Sequence, residues 1–80
     1  MTGPRRLSIP HRVAVIAADD GSPQQVDDRA IDAVRESWLV EDRWWTERPL
    51  RRSYYEVVTV DGRDEVVFCD LQSGRWWRQR

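Results

Sequence analysis

Arginines interleaved with large aromatic rings are the groups in this sequence with the most to offer chemically. The stretch from Trp38 to Tyr55, WLVEDRWWTERPLRRSYY, holds three of the five tryptophans, both tyrosines and four of the thirteen arginines. A second cluster, Gly74-Arg75-Trp76-Trp77-Arg78-Gln79-Arg80, closes the sequence. Side chains of this kind stack on bases and contact phosphates in binders of single-stranded nucleic acid. The same types anchor protein–protein interfaces. The candidate interaction residues are therefore Trp44, Trp45, Arg51, Arg52, Tyr54, Arg75, Trp77 and Arg78. A purely structural use is also open. Neighbouring residues of a strand face opposite ways, so one ring of each Trp-Trp pair would be buried while arginine covers its edge.

Other chemistries fare worse. A nucleophile needs a base within reach, and His11 is the single imidazole. It sits beside the N-terminal tail and reads as a solvated strand-edge residue. The carboxylate pairs Asp19/Asp20, Asp27/Asp28 and Asp64/Glu65 fall at turns and strand ends, where acids are expected for local hydrogen bonding. The four glycines are dispersed and form no phosphate loop. Cys69 is the one cysteine, which excludes an intramolecular disulfide and suits a small apolar strand residue. One histidine and one cysteine make a poor transition-metal set. The expectation is no catalytic residue, no metal and no cofactor.

The elements that would position the arginine–aromatic clusters read mainly as strands. Val13-Ala14-Val15-Ile16-Ala17 is a short apolar run stopped by Asp19-Asp20-Gly21-Ser22-Pro23. Gln24-Gln25-Val26 suits a brief return strand. Periodicity alone predicts a helix over 27–39, with Ala30, Ile31, Val34 and Trp38 near helical spacing; a strand following an Asp27-Asp28 turn is the alternative. Pro49 interrupts any continuous helix. Ser53 to Val60 is rich in β-formers, and Asp61-Gly62 predicts a two-residue type I′ hairpin turn. That loop would set Tyr55 opposite Phe68 and Val57 opposite Val66. Tyr55, Val57, Val66 and Phe68 would then share the core face, with Tyr54, Glu56, Val58, Glu65, Val67 and Cys69 on the other. Leu71 to Gly74 turns into a last strand.

With 80 residues the sequence supports one domain, read as a flexible tail over 1–10 and a single unit over 11–80. A core this small needs dense aromatic packing or a partner. The net charge of −1 argues against bulk attraction to polyanions, yet the charge is segregated. Residues 43–55 hold four arginines and one acid, whereas residues 13–42 hold eight acids and two arginines. No stretch is long and apolar enough for a signal peptide or a membrane span, so the expected location is the cytoplasm.

The order W…WW…R-x-Y-Y-x-V…D-G…F-x-D…G-R-W, carried by Trp38, Trp44-Trp45, Arg51 or Arg52 with Ser53-Tyr54-Tyr55-Glu56-Val57, Asp61-Gly62, Val67-Phe68-Cys69-Asp70 and Gly74-Arg75-Trp76-Trp77, resembles a known family. It is similar to the small uncharacterised domain that ends the ImuB-type proteins, inactive paralogues of Y-family translesion polymerases in the bacterial mutasome. Short free-standing relatives are similar as well. The resemblance is carried by residues 38–77 and implies a small all-β domain, with strands before Trp38 too. It therefore favours strand over helix for 30–38. It implies no catalytic residue.

The expected fold is all-β, a small curved antiparallel sheet or partly open barrel of five to six short strands near 12–18, 23–27, 30–39, 53–60, 63–70 and 75–79. The expected core is Val13, Val15, Val34, Trp38, Trp44 or Trp45, Tyr55, Val57, Val66, Phe68 and Trp76. The expected function is a non-enzymatic interaction module associated with translesion DNA synthesis, acting on a protein partner such as mutasome or error-prone polymerase components. A single-stranded nucleic-acid binder ranks second, and a structural interaction domain unrelated to repair third. No membrane partner is expected; a homo-oligomer stays open.

Overall fold

A computed structural model describes residues 9–43 and 45–80. The regular elements are seven strands: β1 (His11–Arg12), β2 (Val15–Ala17), β3 (Pro23–Val26), β4 (Arg29–Asp42), β5 (Leu50–Thr59), β6 (Asp64–Asp70) and β7 (Trp76–Arg78). They form one antiparallel sheet in the order β1-β7-β6-β5-β4-β3-β2. The fold is all-β, and segment 27–39 is strand rather than helix. Residues 1–8, most of the expected tail, and Trp44 lie outside the described residues.

The two ends of the sheet are halves of one N-terminal segment, separated by Val13 and Ala14. His11 and Arg12 pair with Arg78 and Trp77 of β7. Val15 and Ile16 pair with Val26 and Gln25 of β3. Between them the chain changes neighbours. The Val13 N–H donates to the Trp76 carbonyl at 3.2 Å. The Ala14 N–H donates to the Asp27 carboxylate at 3.0 Å, and the Asp27 N–H donates to the Ala14 carbonyl at 2.6 Å. Asp27 reaches this position with φ at +54°, a conformation Asp tolerates better than most residues. The sheet thus curls into a half-barrel. An expectation of five or six strands is close, since β1 and β2 are one strand with a break.

The core lies inside the curl. Val13, Val26 and Val67 form its centre, with Val15, Ile31, Tyr55 and Trp76 packed around them. Val57 and Thr59 are also buried on this inner face. Glu65 enters the same side at 4% exposure, with its Oε2 2.6 Å from Arg29 Nη2. A buried carboxylate needs such a counter-charge, because desolvation otherwise costs several kcal/mol, roughly.

The β5–β6 register differs by one residue from the expected one. Tyr54 pairs with Phe68, Tyr55 with Val67 and Val57 with Glu65. The cause is the loop. The Thr59 N–H donates to the Arg63 carbonyl, and the Gly62 N–H donates to the Thr59 carbonyl, both at 2.9 Å. Gly62 has φ at +85° while Asp61 is not left-handed. This is a three-residue loop, a type I turn closed by a glycine bulge, and not the type I′ turn that Asp61-Gly62 suggests. Buried Thr59 stabilises it: the Arg63 N–H donates to Thr59 Oγ1 at 3.0 Å, and that hydroxyl donates to the Asp61 carboxylate.

A one-residue slip exchanges faces. Tyr55 and Val57 therefore point into the curl with Glu65, Val67 and Cys69. Phe68 and Val66 point outward with Tyr54, against the expectation of one shared core face. Phe68 and Val66 are nevertheless buried, at 2% and 6%. Val34 and Trp38, both expected in the core, are each 40% exposed. The reason is that, among the described residues, most of β4 has a neighbouring strand on one side only.

Candidate functional site

The outer face of the sheet carries a row of rings across four strands. Trp38 of β4 stacks on Tyr54 of β5, with centroids 5.3 Å apart and planes within 9°. Tyr54 meets Phe68 of β6 at 4.9 Å. Phe68 pairs in register with Trp77 of β7, and Trp77 with Arg12 of β1. Strand alternation builds this row: each ring occupies an outward position at the same height on its strand.

Two arginines cover part of the row. The Arg52 guanidinium lies 4.5 Å from the centre of the Phe68 ring, and its Nη1 donates to Tyr54 Oη at 3.2 Å. Its Nε is buried without a hydrogen-bond partner, so the cation is held chiefly through the ring face and the tyrosine. The Arg12 guanidinium stands 5.3 Å from Trp77. Such cation–π contacts occupy the surfaces that a nucleobase would need. Beside them is a shallow hollow of about 310 Å³ lined by Ile9, Pro10, Arg52, Phe68, Asp70 and Trp77.

The sequence-derived interaction residues are thus divided. Arg52, Tyr54 and Trp77 meet on the outer face. Arg51 and Arg78 belong to the opposite face, where Arg51 Nε donates to Glu41 at 3.1 Å and Arg78 stands in register with His11. Arg75 is exposed in the turn before β7. Trp45 is 63% exposed at the tip joining β4 to β5, next to a turn in which Thr46 donates to the Arg43 carbonyl. Trp44 lies outside the described residues. The residues of both clusters are therefore divided between the two faces.

Three residues of this row are not marked as interaction residues by the sequence: Phe68 and Trp38 read there as core, and Arg12 as part of no site. A register based on the three-residue loop would have placed Tyr54 beside Phe68, but the Asp61-Gly62 pair favours the shorter loop on local grounds.

On the inner side, a second concavity of about 340 Å³ is bordered by His11, Arg63, Asp64, Glu65, Arg78 and Arg80 among others. His11 is exposed there. Cys69 is half-buried, and burial together with the Asp70 charge pushes its thiol above the usual range, which lowers its reactive thiolate fraction. Among the described residues no group of three His, Cys, Asp or Glu side chains is placed to hold a metal ion. No helix among them is long and apolar enough to cross a membrane. Comparison with protein-family models, with curated proteins and with solved structures finds no match to this chain.

The remaining feature is the far edge of β4. β3 pairs with β4 only at Arg29 and Ala30. Two bulges follow, at Asp32 and Arg35, where β4 has an extra residue against β5. From Glu36 to Asp42 the strand is regular, pairing one-to-one with Glu56 back to Leu50. Its outward residues alternate as Glu36, Trp38, Val40 and Asp42. Leu39, on the other side, is 52% exposed.

Proposed function

We propose that this chain is a non-enzymatic interaction module that binds a protein through its β4–β5 side. The observation that carries this reading is where exposed apolar area collects. Trp38, Leu39 and Val34 are open along β4, and Trp45 is open at the adjoining tip. Trp38 opens on the outer face and Leu39 and Val34 on the inner one, so the apolar area follows an edge strand, and exposed aromatic and apolar side chains gathered along one edge mark interaction surfaces. The rings nearest to arginines, Phe68 and Trp77, have those guanidiniums against them, which speaks against base stacking there. Acids interleave with the arginines on the same face, at Glu36, Glu56 and Asp70, and would repel a phosphate backbone within a Debye length. The family resemblance of residues 38–77 would place the partner in the translesion machinery of a bacterial cytoplasm.

The test is affinity capture from DNA-damaged cells with the native chain and a Trp38→Ser/Leu39→Ser variant of matched folding. A defined set of proteins lost with the variant and insensitive to nuclease is the expected result. Recovery that depends on nucleic acid, or micromolar salt-sensitive binding of a single-stranded oligonucleotide in anisotropy, would replace the protein reading with a nucleic-acid one. His11→Ala and Cys69→Ala are expected to leave the captured set unchanged.

A further inference from the structure

We infer that the edge of β4 from Glu36 to Asp42 accepts an extended segment of a partner as an added antiparallel strand, and that this segment is basic at both ends. The inference rests on the reading of the chain as a protein-binding module and names the partner's chemistry.

The backbone argument comes first. A strand edge without a neighbour presents unpaired N–H and C=O groups, and bulges, charges or short length normally blunt it. In β4 the first half is blunted by the bulges at Asp32 and Arg35. The seven residues that follow are regular, and among the described residues no strand lies on their far side. Seven residues give an edge about 23 Å long, enough for strand addition, in which main-chain bonds supply affinity and alternate side chains supply specificity.

The side chains define the occupant. The outward row reads acid, apolar, apolar, acid: Glu36, Trp38, Val40, Asp42. Residues directly opposite on a neighbouring strand share a face. The complementary row is therefore basic, apolar, apolar, basic at every second position. A second observation supports a basic neighbour. Glu36 is already opposite Glu56 of β5, a like-charge pair that is unfavourable in the isolated chain. A cation on the open side of Glu36 relieves it.

A second copy of this chain fits poorly. Pairing two β4 edges antiparallel about Leu39 sets Glu36 against Asp42 at both ends. Moving the register by one sets Glu36 against Glu41 in one direction and against Arg43, just past the end of β4, in the other. In each arrangement the two copies still bring six carboxylates onto one short ribbon, so charge favours a different, basic strand.

The experiment uses the full chain and the peptide Lys-Thr-Val-Thr-Val-Thr-Lys, blocked at both termini, whose sequence reads the same in either direction. Isotope-labelled protein is titrated and amide shifts and hydrogen exchange are followed. The expected result is saturable binding with exchange protection gained in residues 36–42. A peptide with Glu in place of both Lys should bind about tenfold more weakly, since attraction becomes repulsion at two positions. Glu36→Lys should weaken the lysine peptide severalfold while leaving the melting temperature unchanged or higher, because it also relieves the Glu56 contact; loss of binding is then not loss of fold.

Absence of binding, or binding without protection at 36–42, overturns strand addition. If Trp38- and Leu39-dependent capture of protein persists in that case, the module reading survives and only the added strand falls. Equal affinity for lysine and glutamate peptides overturns the charge assignment. A concentration-dependent dimer that protects 36–42 without peptide, or an oligonucleotide that protects the same amides, also overturns the inference.

Discussion

Phe68 and Trp38 belong to one aromatic row, yet their environments are opposite. Phe68 is on β6, a strand with neighbours on both sides, and is 2% exposed beneath Arg52 and between Tyr54 and Trp77. Trp38 is on the regular half of β4, which has β5 on one side and, among the described residues, no strand on the other, and is 40% exposed. The two residues have similar β propensity and similar sequence surroundings. Position in the strand order, rather than side-chain type, decides which ring stabilises the fold and which is available to a partner.

Replacing the two rings should break this comparison most visibly. Phe68→Ala is expected to cost about 3–5 kcal/mol, the usual range for a buried phenylalanine. Trp38→Ala should cost about 1 kcal/mol, the scale of one aromatic pair. Urea denaturation measures both; equal losses would mean that Trp38 is a core residue despite its exposure.

The inner face offers a second contrast, between a buried ion pair and exposed ones. Arg29→Met removes the counter-charge of Glu65 and is expected to cost about 3 kcal/mol, because a carboxylate is left buried alone. Adding Glu65→Leu should recover most of that loss. By comparison, breaking the exposed Arg51–Glu41 pair should change stability by less than about 1 kcal/mol. A small effect of Arg29→Met, or no recovery in the double variant, would show that water reaches Glu65.

The β5–β6 loop is a smaller test. Gly62→Val should cost about 1 kcal/mol or more because a β-branched residue resists a left-handed φ. Asp61→Ser, which keeps an oxygen for Thr59 but resists a left-handed φ, should have less effect, since only Gly62 requires the unusual backbone; a two-residue turn would have needed it at both positions.

The smallest expected effect is on pH dependence. The Thr59 hydroxyl holds the Asp61 carboxyl below its usual 3.8. A carboxyl lowered in the folded state contributes stability above its unfolded pKa and loses it as pH falls through the folded value. Asp61→Asn should therefore flatten the acid limb of the stability curve below about pH 4. Melting curves between neutral and acidic pH would reveal it, and an unchanged slope would mean that this contact does not persist in solution.

Local chemistry determined much of this protein in advance. The β-rich runs, the turn residues at Asp19–Pro23 and Asp61-Gly62, and the break at Pro49 were enough to read most of the chain as strands, and the family resemblance extended that reading to 30–38. Val57, Val66, Phe68 and Val13 were legible as apolar strand residues that the fold buries, and Tyr55 as one that packs against the core. Periodicity alone pointed to a helix at 27–39, wrongly, because the two bulges at Asp32 and Arg35 disturb the alternation that marks a strand. Two outcomes belonged to the tertiary structure. The hairpin register depends on one extra residue in a loop, and that residue placed Tyr55 and Phe68 on opposite faces. The exposure of Trp38 depends on β3 leaving β4 after Ala30, a matter of which strand lies alongside. Side-chain alternation says which residues share a face, but the number of neighbouring strands decides which face and which edge meet water.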